Sequence, residues 1–535
     1  IKGMAGIIND EKFNLYLDAS SDMVNFDNYV KPLPKELADK GFSERMNYRF
    51  GKLGFLNDAY AELRLRLDLG IYEGIPFENI VLDGSLQKGE LQINDLNIAS
   101  VANAAVNLKG KIKGFGTAAA FENLKYDVAT KDFSSFLNKL DIKAPDIDLK
   151  TLKTFSSKGI VTGSLERMAM KTVSKLDYIN VNYGGQASRT EEGMVFNGDL
   201  EVKSRDFVKT LNDLNIKYEP KAFALGLFAL KGKFVGKPDY FALNPVDFNI
   251  GANTFKGDVR YDNTNERKII AANLDINKFE LDKFFYNKAV IKENNTSSFR
   301  ETATGKADFL AKPVYDMTKL NYAFYSTFDF DGTFKISRLS YQDTTFDFAD
   351  FKLSLKDMAA KLEHFKADYH GGKINADLEL GISPDRPSLK GDVQLSQYKI
   401  SENSFNGGKY GLKGGTLDAD IKFNTAADSF DSMFNMLNAD ISFAIADTRF
   451  LGWNLQGIYQ DLLTRETSDG LTMFVKNNLQ KGEEALQSVQ GKLRIANGEY
   501  NLDNVAIAAD QFDMTLTDNG SMANWETNAR FSLKY

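Results

Sequence analysis

The chain has 535 residues, of which 43% are hydrophobic and 26% charged, with 41 Gly, 41 Phe, 22 Tyr, 2 His and no Cys. Without Cys there are no disulfide frameworks, thiolate zinc sites or cysteine nucleophiles, and two His leave little material for imidazole catalysis or transition-metal binding. A net charge of −7 gives no electrostatic footprint for nucleic acid, the apolar content excludes a disordered chain, and no apolar run is long enough to span a bilayer as a helix. The first residue is Ile1, so the chain reads as an excised or processed piece whose targeting or membrane segment has been cut away.

Taken in order, most of the chain predicts strands. Leu63, Leu65, Leu67 and Leu69 alternate with Arg64, Arg66 and Asp68, and side chains in a strand point to opposite faces in turn. Turn signals recur at Asp83-Gly84, Asp331-Gly332, Asn406-Gly407, Asn497-Gly498 and Asn519-Gly520, dipeptides that supply the positive φ angles of tight hairpins. A repeat runs through the middle of the chain. One copy is Ile179 to Gly185 followed by Gly198 to Val202 and a helical stripe of Phe207, Val208, Leu211 and Leu214. A second covers Val246 to Gly251, Phe255 to Val259, Ala272 to Ile276 and Phe284-Phe285. A third covers Ala367 to Ile374, Leu378 to Leu380 and Gly391 to Leu395. A repeated unit of this kind cannot bury its apolar face alone and stacks on its neighbours.

Residues 291–305 are polar, lack an apolar period and read as a linker between halves 1–290 and 306–535. Beyond it Phe346 and Phe348 flank Asp347, while Leu417, Ala419, Ile421 and Phe423 alternate with Asp418, Asp420 and Lys422. Two further helical stripes follow, Phe430, Met433, Phe434 and Leu437, then Ile458, Tyr459, Leu462 and Leu463. Each reads as a cap packed on a sheet.

No motif for catalysis emerges. The Gly110–Gly116 stretch lacks dinucleotide-binding spacing, and Asp329-Phe-Asp331-Gly332 lacks the later ligands of a calcium loop. His364 and His370 are six apart, which in a strand puts them about 20 Å from each other on one face. The sequons at Asn294 and Asn295 carry no weight without a eukaryotic secretory context. The expectation is a protein that is no enzyme and needs no metal or cofactor.

What stands out is the apolar alternation itself. It fits a closed sandwich or barrel core, the common destination of such strands, and the sharper reading is an open, curved sheet that is oily along one face. In the open case the residues facing the trough are Leu63, Leu65, Leu67, Leu69, Phe328, Phe330, Phe346, Phe348, Phe351, Leu353, Leu355, Leu417, Ile421 and Phe423.

Several segments resemble the AsmA-like proteins of Gram-negative envelopes. Phe13 to Asp18 with Val24 to Val30 looks like a strand followed by a leucine- and aspartate-rich segment, and residues 207–285 look like a short helix, a linker and glycine-turn strands. Gly457 to Leu533, with Gly491-Lys-Leu493-Arg-Ile495-Ala-Asn497-Gly498, is similar to a closing module. The resemblance implies a mainly β, mostly antiparallel open sheet, taco-shaped and built from tandem repeats, with short capping helices. It also implies a periplasmic body tethered to the inner membrane by an N-terminal helix, and a groove that carries phospholipids between inner and outer membranes. No catalytic residues transfer with it. The alternative is a scaffold or assembly factor that pairs its edge strands with outer-membrane proteins. A carbohydrate-binding or enzymatic β-protein is the third reading, disfavoured by the scarcity of His and of Trp (Trp453 and Trp525). Nucleic acid is not an expected partner.

Overall fold

The computed structural model describes residues 2–10, 12–29, 33–38, 42–115, 120–140, 151–191, 193–216, 218–220, 225–284, 327–341, 344–383, 386–400, 405–407, 410–428, 430–464, 478–522 and 526–534. The fold is mainly β, open and mostly antiparallel, with a few short helices. It divides into two compact units. The first holds Ile1–Asp262 with Lys283–Asn287, the second Asn263–Asp282 with Lys288–Tyr535. The proposed linker at 291–305 lies outside the described residues.

In the first unit β1 (Lys2–Asp10) and β2 (Lys12–Asn25) form a hairpin, and β2 runs parallel to β3 (Tyr60–Tyr72). Antiparallel neighbours then follow in chain order: β4 (Ile75–Gln87), β5 (Glu90–Val101), β6 (Ala104–Lys113), β7 (Ala120–Thr130), β8 (Phe155–Ser164), β9 (Arg167–Leu176), β10 (Ile179–Thr190), β11 (Gly193–Ser204), β12 (Phe228–Lys237), β13 (Tyr240–Ile250) and β14 (Asn253–Asp262). Among the described pairings none joins β1 to β14, so this sheet is not a barrel.

In the second unit β15 (Lys268–Ile276) runs parallel to β17 (Phe328–Ile336), and β16 (Phe279–Glu280), β18 (Leu339–Tyr341) and β19 (Thr344–Phe346) form a separate small sheet. From β17 the main sheet continues through β20 (Phe348–Lys356), β21 (Ala359–Tyr369), β22 (Gly372–Gly381) and β23 (Ser388–Lys399). Two short strands, β24 (Phe405–Gly407) and β25 (Tyr410–Lys413), branch off to one end of β27, while β23 pairs directly with β26 (Thr416–Ala426). The sheet finishes with β27 (Asn438–Trp453), β28 (Leu479–Ala496), β29 (Glu499–Ala509), β30 (Asp513–Ser521), β31 (Glu526–Thr527) and β32 (Arg530–Lys534).

Turn chemistry explains the hairpins, though not where the dipeptides predicted. Glu73-Gly74, Lys88-Gly89, Ala102-Asn103, Asp357-Met358, His370-Gly371 and Asn497-Gly498 each have positive φ at both central residues, the geometry whose twist matches that of the flanking strands. Of the expected turns only Asn497-Gly498 is one. Asp83-Gly84, Asp331-Gly332 and Asn519-Gly520 lie inside strands. At Gly332 the missing Cβ makes room for packing, since a Cβ there would sit 2.8 Å from both the Phe330 and the Phe334 rings. In the third repeat copy Ile374 and Leu378–Leu380 both belong to β22, which follows the His370-Gly371 turn.

The three helical stripes appear as helices Phe207–Asp213, Phe430–Asn435 and Leu455–Thr464. Helices Phe42–Lys52 and Phe133–Lys139 went unforeseen. The second has a readable signal: Asp132 caps it by accepting from Ser135 N at 2.9 Å, just as Asp206 caps the helix at Phe207 by accepting from Lys209 N at 3.0 Å. An Asp-Phe step after a strand ending in Thr130 or Ser204 is thus a repeated helix start.

Candidate functional site

Register decides which side chains share a face. In the first unit one row of cross-strand neighbours runs Leu65, Leu82, Leu96, Leu108, Tyr126, Gly159, Thr172, Tyr183, Leu200, Gly232, Val246, Gly257 from β3 to β14. The adjacent row runs Leu67, Ile80, Ile98, Val106, Val128, Ser157, Ser174, Val181, Val202, Leu230, Phe248, Phe255 over the same strands. Together they form a nearly unbroken apolar lane, about 50 Å long at the usual spacing of neighbouring strands. The reverse face is mostly polar: Asn107, Asp127, Lys158, Asn182, Glu201, Lys231, Asp247 and Lys256 lie in one row there, interrupted by Val173 between Lys158 and Asn182.

The second unit repeats the design. Its lane includes the row Ala272, Gly332, Leu353, Leu362, Leu378, Gly391, Phe423, Ala439, Ile495, Tyr500. A second row runs Ile276, Ile336, Ala349, Ala367, Ile374, Leu395, Ala419, Phe443, Gly491. The other face carries a ladder of ion pairs, among them Lys390–Glu379 at 3.0 Å, Arg494–Asp440 at 3.2 Å and Lys422–Asp392 at 3.5 Å.

These lanes are half-covered. Of the row that begins at Leu65, only Tyr183 and Val246 are buried; the other members keep part of their surface in solvent. Leu353 remains 36% exposed. In a filled sandwich such inward residues would be buried throughout.

At one strand end of the first lane the helices close the side. Phe133 stacks on Phe155 and Phe207 packs on Phe228, with ring centroids 4.4 and 5.3 Å apart. Helix Phe42–Lys52 sits over the lane's first strands. Phe50 meets Phe121 edge-on at 6.4 Å, while the neighbouring Arg49 lies 5.0 Å from the Tyr72 ring and pairs with Glu73. Along flat strands Tyr72 and the row of Phe121 would lie about 35 Å apart. Two adjacent helical residues reach both, so these strands are not flat here. Burial holds the Arg49 guanidinium below the ordinary arginine range.

The expected trough residues divide as follows. Leu63, Leu65 and Leu67 lie on the first lane; Leu69 pairs instead with Glu78 and Met23, because Gly70 takes over the lane position beside Leu67 and Ile80. Phe328, Phe330, Phe351, Leu353, Leu355, Leu417, Ile421 and Phe423 share the lane face of the second unit. Phe346 belongs to the small sheet and folds its ring over Phe365 and Tyr369, with centroids 6.0 and 5.1 Å away. Phe348 faces the other way. It is paired with Asp368 and one residue out of phase with Ala349 and Phe351, so the Phe346/Phe348 alternation does not describe one strand. Sequence reading missed the first lane's residues of β4 to β14, several of which are small or hydroxyl-bearing and dilute the alternation.

The lane rows named above contain no carboxylate, amine, guanidinium or imidazole. Hollows of about 820 and 870 Å³ in the second unit lie on the charged face, lined by Lys361, Glu379, Lys422, Asp440 and Arg494 among others. The cations there are matched by carboxylates, which makes an ion-pair ladder of small net worth. Among the described residues no three acidic or histidine side chains converge to hold a metal. His364 takes a bulge position where its backbone N–H donates to Asp377 at 2.7 Å, and His370 takes a turn position beside Tyr369.

An open, repeat-built sheet with one oily and one charged face is the class this architecture defines. The comparison with protein families agrees: residues 116–505 match the AsmA family, and the chain belongs to it. Neither the curated proteins nor the solved structures searched gave a match.

Proposed function

We propose that this protein carries phospholipid acyl chains along its apolar lanes between the inner and outer membranes of a Gram-negative envelope, as a periplasmic, membrane-tethered and non-enzymatic conduit. The single observation that supports this reading is the register. Apolar side chains on strand after strand fall into the same rows, yet among the described residues no second layer fills the space above most of them. A methylene left in water costs about 0.8 kcal/mol. A lane of Leu, Val, Ile and Phe offsets that cost wherever the chain slides, because each row resembles the next. Weak, repeated contacts suit a moving passenger; one deep pocket would trap it.

The test is lipid occupancy. Leu362 and Leu378 are cross-strand neighbours on the second lane, and Leu362→Asp with Leu378→Asp sets two charges there while the backbone ladder stays intact. Gently purified full chain is expected to carry phospholipid by native mass spectrometry, and the double variant to carry far less and to transfer less between vesicles. Equal lipid in both proteins, with equal transfer, rejects the reading. The alternative, a scaffold for outer-membrane proteins, is supported by β1, which among the described pairings has β2 on one side and an unpaired edge on the other. Crosslinks from Lys2 or Met4 to a barrel protein, in a chain free of lipid, would favour it.

A further inference from the structure

The first lane carries one polar interruption. Thr172, Ser157 and Ser174 sit among leucines, valines and glycines of the two rows, next to the tyrosine hydroxyl of Tyr126. The four oxygens form a ring: Tyr126 donates to Thr172 at 2.7 Å, Thr172 and Ser174 are 3.3 Å apart, Ser174 and Ser157 2.9 Å, and Ser157 and Tyr126 3.3 Å. A further contact of 3.1 Å joins Ser157 to Thr172 across it. The fold does not call for this cluster. The flanking row positions are Val128 and Val181, the backbone groups of β7 to β10 are engaged in the sheet ladder, and valine is the better strand former.

We propose that Tyr126, Ser157, Thr172 and Ser174 form a binding station that takes the hydrogen-bond-donating part of an amphiphile, a primary ammonium or a hydroxyl, while its acyl chains lie on the apolar rows to either side. The argument is one of counting. Each hydroxyl has one hydrogen and two lone pairs. With the four hydrogens spent inside the cluster, on the ring or on the contact across it, four of the eight lone pairs stay free and no hydrogen is left over. The cluster therefore wants donors. It holds no cation, and an acceptor such as a bare phosphate must break a contact of the ring to gain a hydrogen. Ser157 is buried, while Tyr126, Thr172 and Ser174 keep part of their surface exposed, so a passenger on the lane can reach the ring. A hydroxyl cluster also slows a passenger by giving it one directional contact in a region of otherwise equivalent apolar ones.

This proposal rests on the lipid-lane reading, and its test separates the two. Full chain is equilibrated with vesicles containing equal amounts of phosphatidylethanolamine and phosphatidylcholine with identical acyl chains, and bound lipid is extracted and weighed by mass spectrometry. The first headgroup bears three N–H donors and the second none. The wild type is expected to favour phosphatidylethanolamine by about fivefold, the worth of one net hydrogen bond. Thr172→Val with Tyr126→Phe, which changes almost no volume, is expected to bring the ratio to unity. If that pair perturbs folding by circular dichroism, Ser174→Ala alone is the substitute and should lower the ratio in the same direction. A wild type without preference, or variants that keep it, overturns the station and leaves the lane standing. A wild type that binds neither lipid overturns both.

Discussion

Phe133 lies face to face with Phe155, their ring planes 21° from parallel and their centroids 4.4 Å apart. The first residue of a short helix is thereby fastened to the first residue of the strand that follows the connection, and Phe207 repeats the arrangement on Phe228. Each helix of seven residues is too short to be stable alone, so its ring contact and its aspartate cap must hold it. Phe133→Ala should cost about 2–3 kcal/mol, the lower side of the range for aromatic truncation because the ring is half-buried. Asp206→Ala should cost about 1 kcal/mol through loss of the cap. Denaturant titration followed by tyrosine and tryptophan fluorescence checks both.

Gly185 and Gly198 face each other across β10 and β11, and a Cβ on Gly198 would stand 2.4 Å from the Gly184 carbonyl oxygen and 2.5 Å from Gly185 Cα. Those atoms are backbone and cannot rotate aside. Gly198→Ala should therefore push the two strands apart and destabilise the first unit by about 2 kcal/mol or more, in the upper part of the overpacking range. Faster amide exchange confined to β10 and β11 is the expected signature. Unchanged exchange there would contradict this account of the strand contact.

Burial pushes the Glu484 carboxyl above its ordinary value, against an opposing hydrogen bond from the Leu455 backbone and with a small upward push from Asp510. The folded chain thus holds this proton more tightly than the unfolded chain does. Its stabilising contribution is complete below the unfolded carboxylate pKa, about 4, and is lost as pH rises through the higher folded value. Glu484→Gln keeps the neutral form at every pH. The variant should melt higher than the wild type near neutrality and draw level in acid, a comparison open to thermal melts across a pH series.

Phe50 holds helix Phe42–Lys52 against Phe121 over the first strands of the lane. Phe50→Asp replaces that ring contact with a charge that prefers water, so the helix should lift and uncover apolar surface. Binding of a hydrophobic dye should rise several-fold while far-UV circular dichroism stays close to that of the wild type. Equal dye binding would mean that the helix leaves the lane accessible as it stands.

The polar ladder offers a contrast. Lys390 pairs with Glu379 at 3.0 Å, yet the lysine is 61% exposed. Lys390→Ala should change stability by less than about 1 kcal/mol, and high salt should erase the difference. A larger loss in a melting series would show that the charged face bears more of the fold than exposed pairs ordinarily do.

Alternation alone was enough to read strands at Leu63–Leu67, Phe328–Ile336 and Leu417–Phe423, because a side-chain period of two admits no other regular backbone. It also exposed the three helical stripes, where the period changes to that of a helix. What it could not provide was phase across irregularities. Leu69 leaves the lane and Phe348 starts a new strand out of step with Phe346, since a one-residue irregularity reverses every later side chain. Glycines misled in the same way. Gly84 and Gly332 look like turn residues after an aspartate, but they serve close contacts inside strands, which only a neighbour's position reveals.

The amino-acid order by itself determined that this chain is built of strands with one oily and one charged side, since that pattern is local and each residue's neighbours in sequence dictate which way it points. Whether those oily sides would meet and seal, or line up in open rows with a hydroxyl ring in their midst, was decided only in three dimensions. Register between strands that are distant in sequence is set by bulges, turn geometry and the fit of rings against glycines, and none of these is visible until the chain has folded back beside itself.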